Sequence, residues 1–259
     1  MLSFRFLIAS LIMWLVVLIR KENPLIEGKK AGQLVALGVM GYGVMAGLFF
    51  NSVKLVPAAV ASIILYTYPV IVTLLASWMY KEQITRVKVI SLVISSLGLV
   101  MVVGVVFDVL NGMGLFYAAM AAVVYSLYIV LSNKLVGTVN PILVSTYVIT
   151  SAAVVLNLMT WLTGAFTWPG NIQGWLSVLG LAVFSTVIAI LTFFQGMKIV
   201  GPSQASIIST LEPVITTLAA VILFAEKVSL LQVLGGVLVI MAVIIIQRDK
   251  ASAQVAEMN

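Results

Sequence analysis

Nine times between Leu2 and Gln247 the sequence runs for about 18–25 residues with almost no charge. That is the length of an α-helix crossing the hydrocarbon core of a bilayer. The runs cover residues 2–19, 33–53, 56–80, 87–107, 112–134, 142–164, 174–198, 203–225 and 228–247. A transmembrane barrel would show ten-residue stretches of alternating polarity instead, and the sequence has none. The expected fold is an all-α polytopic membrane protein.

Composition agrees and removes several kinds of chemistry. Only 8% of residues are charged, against about 25% in a soluble domain. There is no cysteine and no histidine. That eliminates disulfides, thiolate and imidazole metal sites, haem ligation and any Ser–His or Cys–His pair. A second intramembrane carboxylate, as an aspartyl protease needs, is also missing, so neither an enzyme nor a cofactor or metal is expected. The net charge of +6 reads as the positive-inside rule rather than as attraction to nucleic acid.

The basic residues set an expected orientation. With residues 20–30 cytoplasmic, that side holds Arg20, Lys21, Lys29, Lys30, Lys81, Arg86, Lys88, Lys134, Lys198, Arg248 and Lys250. The other side holds Lys54, Lys227 and, near the start, Arg5. This bias places the C-terminus inside and leaves residues 248–259 as a cytoplasmic tail.

A gapless internal repeat is legible. Residues 49–85 and 193–229, offset by 144, agree at roughly 15 of 37 positions, with Lys54 over Lys198, Pro69 over Pro213 and Glu82 over Glu226. Shared apolar composition does not put Lys, Pro and Glu in register. The same shift pairs four of the first segments with four later ones and leaves 112–134 alone, because its mate would lie before Met1. The unit is therefore five helices, present here as 4+5, and an odd unit repeated across a bilayer must be inverted. The expected halves are 1–110 and 111–247. Inverted repeats with helices interrupted near the midplane belong to secondary transporters, with a central cavity between the halves.

RFLIA (5–9), KLVPAAVASIILYTYPVIVTLLASWMYKEQIT (54–85) and LEPVITTLAAVILFAEKVSLLQVLGGVLVIMAVIII (211–246) resemble the EamA-type drug/metabolite transporters. The resemblance extends over essentially the whole chain and implies a ten-helix permease moving small metabolites or drug-like solutes without ATP. Relative to that pattern the sequence lacks the first helix. Export by alternating access is expected, and the alternative is a truncated or accessory membrane protein that transports nothing.

Glu212 is the single carboxylate deep in any span, Asp108, Glu82 and Glu226 lying at span ends. Ionisable groups inside a membrane face the bundle interior or a water-filled cavity, so Glu212 is a candidate for solute binding or proton coupling. Its repeat mate is Tyr68. Pro69 and Pro213 are expected to bend their helices in both halves. Tyr66, Tyr68 and Ser209 flank these bends; Tyr42 and Asn51 lie on 33–53, Gln195 on its partner, and Asn157 and Trp161 one turn apart on 142–164. Together they are the candidate binding residues, with aromatic walls and a few hydrogen-bonding groups. Trp168 is expected to be an interfacial anchor, Thr85 a helix N-cap, and Ser229 with Gln232 a capping box.

Overall fold

The computed structural model describes residues 2–104, 111–164, 168–224 and 227–258. Asp108 and Glu226 therefore lie outside the described residues. Among those described, the chain is all-helical, with nine helices long and apolar enough to cross a membrane. They are Leu2–Ile19, Gly28–Val53, Ala58–Tyr80, Arg86–Val103, Gly112–Val136, Pro141–Leu162, Ile172–Val200, Pro202–Ile222 and Leu230–Arg248, numbered here as the first to ninth spans. The second begins five residues ahead of its apolar run. Its first turn is the polar GKK, and Lys30 pairs with Glu27 at 3.3 Å, so the helix extends past the apolar stretch.

Two compact units form, each drawing on both sequence halves: Met1–Met45 with Leu131–Ile199, and Ala46–Val130 with Val200–Asn259. In the first unit, the first span packs along the sixth. Phe6, Ala9, Met13 and Val17 recur every three or four residues and are all buried, which is one stripe of a helix. Polar groups fasten this apolar seam: Ser10 and Thr150 share a hydrogen bond of 2.9 Å, and Trp14 Nε1 donates to Thr150 at 3.1 Å. The sixth span also receives the second at Gly38, where a Cβ would lie 2.6 Å from the Val148 carbonyl oxygen. Neither Gly43 nor Gly47, the GxxxG pair of this helix, is as tightly approached.

The second unit is organised around the fourth and ninth spans. Gly98 and Gly235 meet backbone to backbone: a Cβ on either would sit 2.6 Å from the other's carbonyl oxygen. Small residues permit this approach, and packing rather than hydrophobicity holds helices together in lipid. Leu92, Ile207 and Ile246 fill one cluster nearby, and Val102, Val214 and Val239 another. Thr85 caps the fourth span, accepting from the Lys88 N–H at 3.2 Å. Ser229 and Gln232 form the capping box at the ninth, with bonds of 2.9 and 3.2 Å.

Two spans are interrupted rather than simply bent. The third consists of Ala58–Leu65 and Tyr68–Tyr80, and the eighth of Pro202–Ile208 followed by Leu211–Phe224. Pro69 and Pro213 stand in the first turn of each new segment. There a missing N–H costs nothing, because first-turn N–H groups have no intrahelical acceptor. The breaks fall within one residue of equivalence under the 144-residue repeat.

Candidate functional site

The break in the eighth span explains how a carboxylate is tolerated next to a proline in an apolar helix. Glu212 is the second residue of Leu211–Phe224, in its first turn, where the free N–H groups and the positive helix end favour a negative charge. It is also the midpoint of Pro202–Ile222. The Tyr66 phenol, at the break of the third span, lies beside it in the same unit. Glu212 itself is exposed at the surface of its unit.

Around this pair lies an aromatic and hydroxyl lattice within the same unit. The Tyr68 hydroxyl shares a short hydrogen bond with Ser209 Oγ, and Ser209 Oγ also donates to the Ser206 carbonyl at 2.7 Å. Tyr68 is buried. Its ring meets Tyr125 edge-on at 4.7 Å, and Tyr125 stacks on Tyr128 at 5.9 Å. Ser126 Oγ reaches the Tyr68 carbonyl at 3.3 Å. The interruptions shorten the backbone ladder at the Ile64, Ser206 and Ile207 carbonyls, Ile64 and Ile207 accepting from the N–H groups of Thr67 and Thr210 at 3.1 Å. Thr67, Ser209 and Thr210 supply hydroxyl donors at 2.7 Å to each.

The structure thus brings together four of the candidates: Tyr66, Tyr68, Ser209 and Glu212. Asn51 belongs to the same unit but is exposed, donating to Gly47 O at 2.9 Å and accepting from Lys54 Nζ at 3.5 Å. Tyr42, Asn157, Trp161 and Gln195 belong to the other unit. Tyr42 packs on Phe6 at 5.1 Å, and Gln195 is exposed. Asn157 donates to Ser3 O and Ala153 O at 3.1 and 2.8 Å. With Ser10, Thr150 and Trp161 it lines an open groove of about 500 Å³. Trp168 meets Phe4 and Trp175 edge-on at 5.2 and 5.6 Å. The sequence reasoning missed Tyr125 and Tyr128. Their signal was the i, i+3 pair in YSLY, on the one segment without a repeat mate.

An all-helical bundle with broken spans and a mid-span carboxylate defines a class: multi-pass membrane transporters. The family follows from similarity. The EamA-like transporter family model matches residues 1–104 and 112–248, and the chain belongs to that family. An uncharacterized transporter of Archaeoglobus fulgidus is 28% identical over 255 residues, covering 96% of this chain and 88% of the relative. YcbK of Bacillus subtilis, also an uncharacterized transporter, is 27% identical and covers 90% and 78%. The aromatic amino acid exporter YddG of Ancylobacter novellus is 26% identical over 190 residues, 71% of this chain and 64% of that protein. A solved crystal structure shares the fold with a TM-score of 0.80 at 22% identity, covering 94% of this chain and 85% of the other.

Proposed function

We propose that the protein exports a small solute carrying an ammonium group on an aromatic or apolar body, and that Glu212 with Tyr66 is where the ammonium is read. The observation carrying this is the mid-span carboxylate beside Tyr66 and Tyr68, with the Tyr68 ring against Tyr125 and Tyr125 stacked on Tyr128. A carboxylate attracts a cation, and tyrosine faces add cation–π attraction of about 0.5–2 kcal/mol. An exposed carboxylate at the midpoint of a span is costly against lipid, which favours a water-filled cavity around it. The export direction is supported by the name of the YddG relative.

Alternating access moves the Glu212 site from one side of the membrane to the other, and a proton on Glu212 is the coupling species. The two repeat halves, 1–110 with four spans and 111–247 with five, are the repeating units of this motion; Pro69 and Pro213 sit at their repeat-related helix breaks. The basic-residue bias supports a cytoplasmic C-terminal tail in the cell membrane. The test is counterflow of labelled phenylalanine and phenethylamine in proteoliposomes, with and without a pH gradient. Wild type should exchange them, and Glu212→Gln, still folded, should lose at least tenfold in rate. Equal rates in the variant would refute the role of Glu212.

A further inference from the structure

Two exposed ridges run side by side on the surface of the second unit. Val70 and Leu74 form one on the third span, and Val89, Val93 and Leu97 form the other on the fourth. Residues four apart share a helix face, so each set is one stripe. Between the stripes lies a groove of about 390 Å³, floored by the buried Thr73 and Leu92. Thr73 spends its hydroxyl on the Pro69 carbonyl at 2.8 Å, which leaves the floor apolar.

The groove is one leaflet deep. The third span breaks after Leu65 and resumes at Tyr68, and its ridge starts at Val70, just past the break. From Arg86 to Leu97 the fourth span rises about 16 Å at 1.5 Å per residue. Half the hydrocarbon thickness of a bilayer is about 15 Å. A helix of a second copy would run the full length of a span, whereas this groove stops near the middle.

Its outer end is basic. Trp78, 80% exposed near the end of the third span, marks the headgroup level, where tryptophan collects. Beyond it come Lys81, Glu82 and the groove-lining Ile84, and Arg86 opens the fourth span. Arg86 stands three residues before Val89 and seven before Val93, on the same helix face. Glu82 is neutralised by Lys88 at 2.7 Å. Lys81 and Arg86 are exposed, and among the described residues neither is paired with a carboxylate. Two positive charges therefore stand at the headgroup end of an apolar groove.

We propose that this groove binds one anionic phospholipid, with an acyl chain between the two ridges and the phosphate on Lys81 and Arg86. Each part of the surface selects one part of that molecule. The apolar groove takes a chain, and basic residues at the membrane surface favour an anionic headgroup. The guanidinium fork of Arg86 suits phosphate oxygens. A free phosphate would meet only the charges, and a zwitterionic lipid would gain little beyond the groove.

The test is native mass spectrometry of the whole protein in dodecyl maltoside, titrated with dioleoylphosphatidylglycerol or dioleoylphosphatidylcholine. Wild type should bind the first phosphatidylglycerol about tenfold more tightly than phosphatidylcholine with the same chains. Lys81→Gln combined with Arg86→Gln should abolish that preference and leave phosphatidylcholine binding unchanged; each single variant should show part of the loss. Val93→Trp should fill the groove and weaken both lipids. Leu74→Trp, on the opposite ridge, should do the same and carries the test if Val93→Trp does not fold. The proposal is overturned if wild type binds the two lipids alike, or if the double variant keeps the preference. It is also overturned if the tryptophan variants bind phosphatidylglycerol as wild type does, since charge alone would then explain binding. Displacement of the lipid by inorganic phosphate, but not by chloride at equal ionic strength, would assign a free-anion site instead. A dimer mass that Val93→Trp abolishes would assign the groove to a second copy, and either result overturns the proposal.

Discussion

Replacing Lys88 should destabilise the fold far more than replacing a typical basic residue near a membrane surface. Its side chain is 7% exposed and its Nζ lies 2.7 Å from Glu82 Oε1, with a second bond to Gln83 O at 2.9 Å. Glu82 uses its other oxygen, Oε2, to accept from the fully buried Ser203 at 2.7 Å. The loop after the third span is thereby tied both to the fourth span and to the start of the eighth. Removing one partner of a buried pair strands the other charge, at a cost of about 3–5 kcal/mol. Glu82 keeps 22% exposure, so water recovers part of this, and Lys88→Met should cost about 2–3 kcal/mol. Adding Glu82→Gln removes the stranded charge and keeps an acceptor for Ser203. The double variant should then fall within about 1 kcal/mol of wild type, a coupling that neighbours in one network can show. Unfolding followed by tryptophan fluorescence in a titration of dodecyl maltoside with dodecyl sulfate measures all four proteins. A loss below about 1 kcal/mol in Lys88→Met, or a double variant as unstable as the sum of the singles, would refute the stranded-charge argument.

Two further outcomes are open to measurement. Gly98→Ala should cost about 1–3 kcal/mol in the same titration, because its Cβ meets a backbone oxygen that cannot move aside, while Gly47→Ala, with nothing within 4 Å, should be close to neutral. Tyr68→Phe removes the hydroxyl shared with Ser209; it should lower stability by about 1 kcal/mol and weaken phenethylamine binding less than Glu212→Gln does.

Much of the architecture was legible before any coordinates. Apolar runs gave the nine spans, because length and hydropathy suffice to specify a helix in lipid, where every backbone group must bond within its own segment. Thr85, Ser229 and Gln232 were readable as caps because capping is local. The site was half legible. Glu212 stood out as a charge in an apolar run, and Tyr66, Tyr68 and Ser209 followed because they flank the repeated prolines. Tyr125 and Tyr128 did not, since nothing local says that the fifth span packs against Tyr68. Arg5 was counted only as a charge on one side of the membrane, whereas its Nε donates to Thr186 Oγ1 across 181 residues of sequence.

The sequence by itself determined what must cross the bilayer and where the chain could break. Hydropathy, prolines and the 144-residue repeat are properties of single segments, and each acts within a few turns. Only the tertiary structure decided which breaks became helix starts able to host a carboxylate. It alone put the tight crossing at Gly98 and Gly235 rather than at the GxxxG of Gly43 and Gly47, and turned the middles of two spans into π-helices, Leu37–Gly43 and Val183–Ile188. Those outcomes depend on contacts between distant segments, where steric fit and unpaired backbone groups decide, and no local pattern encodes them.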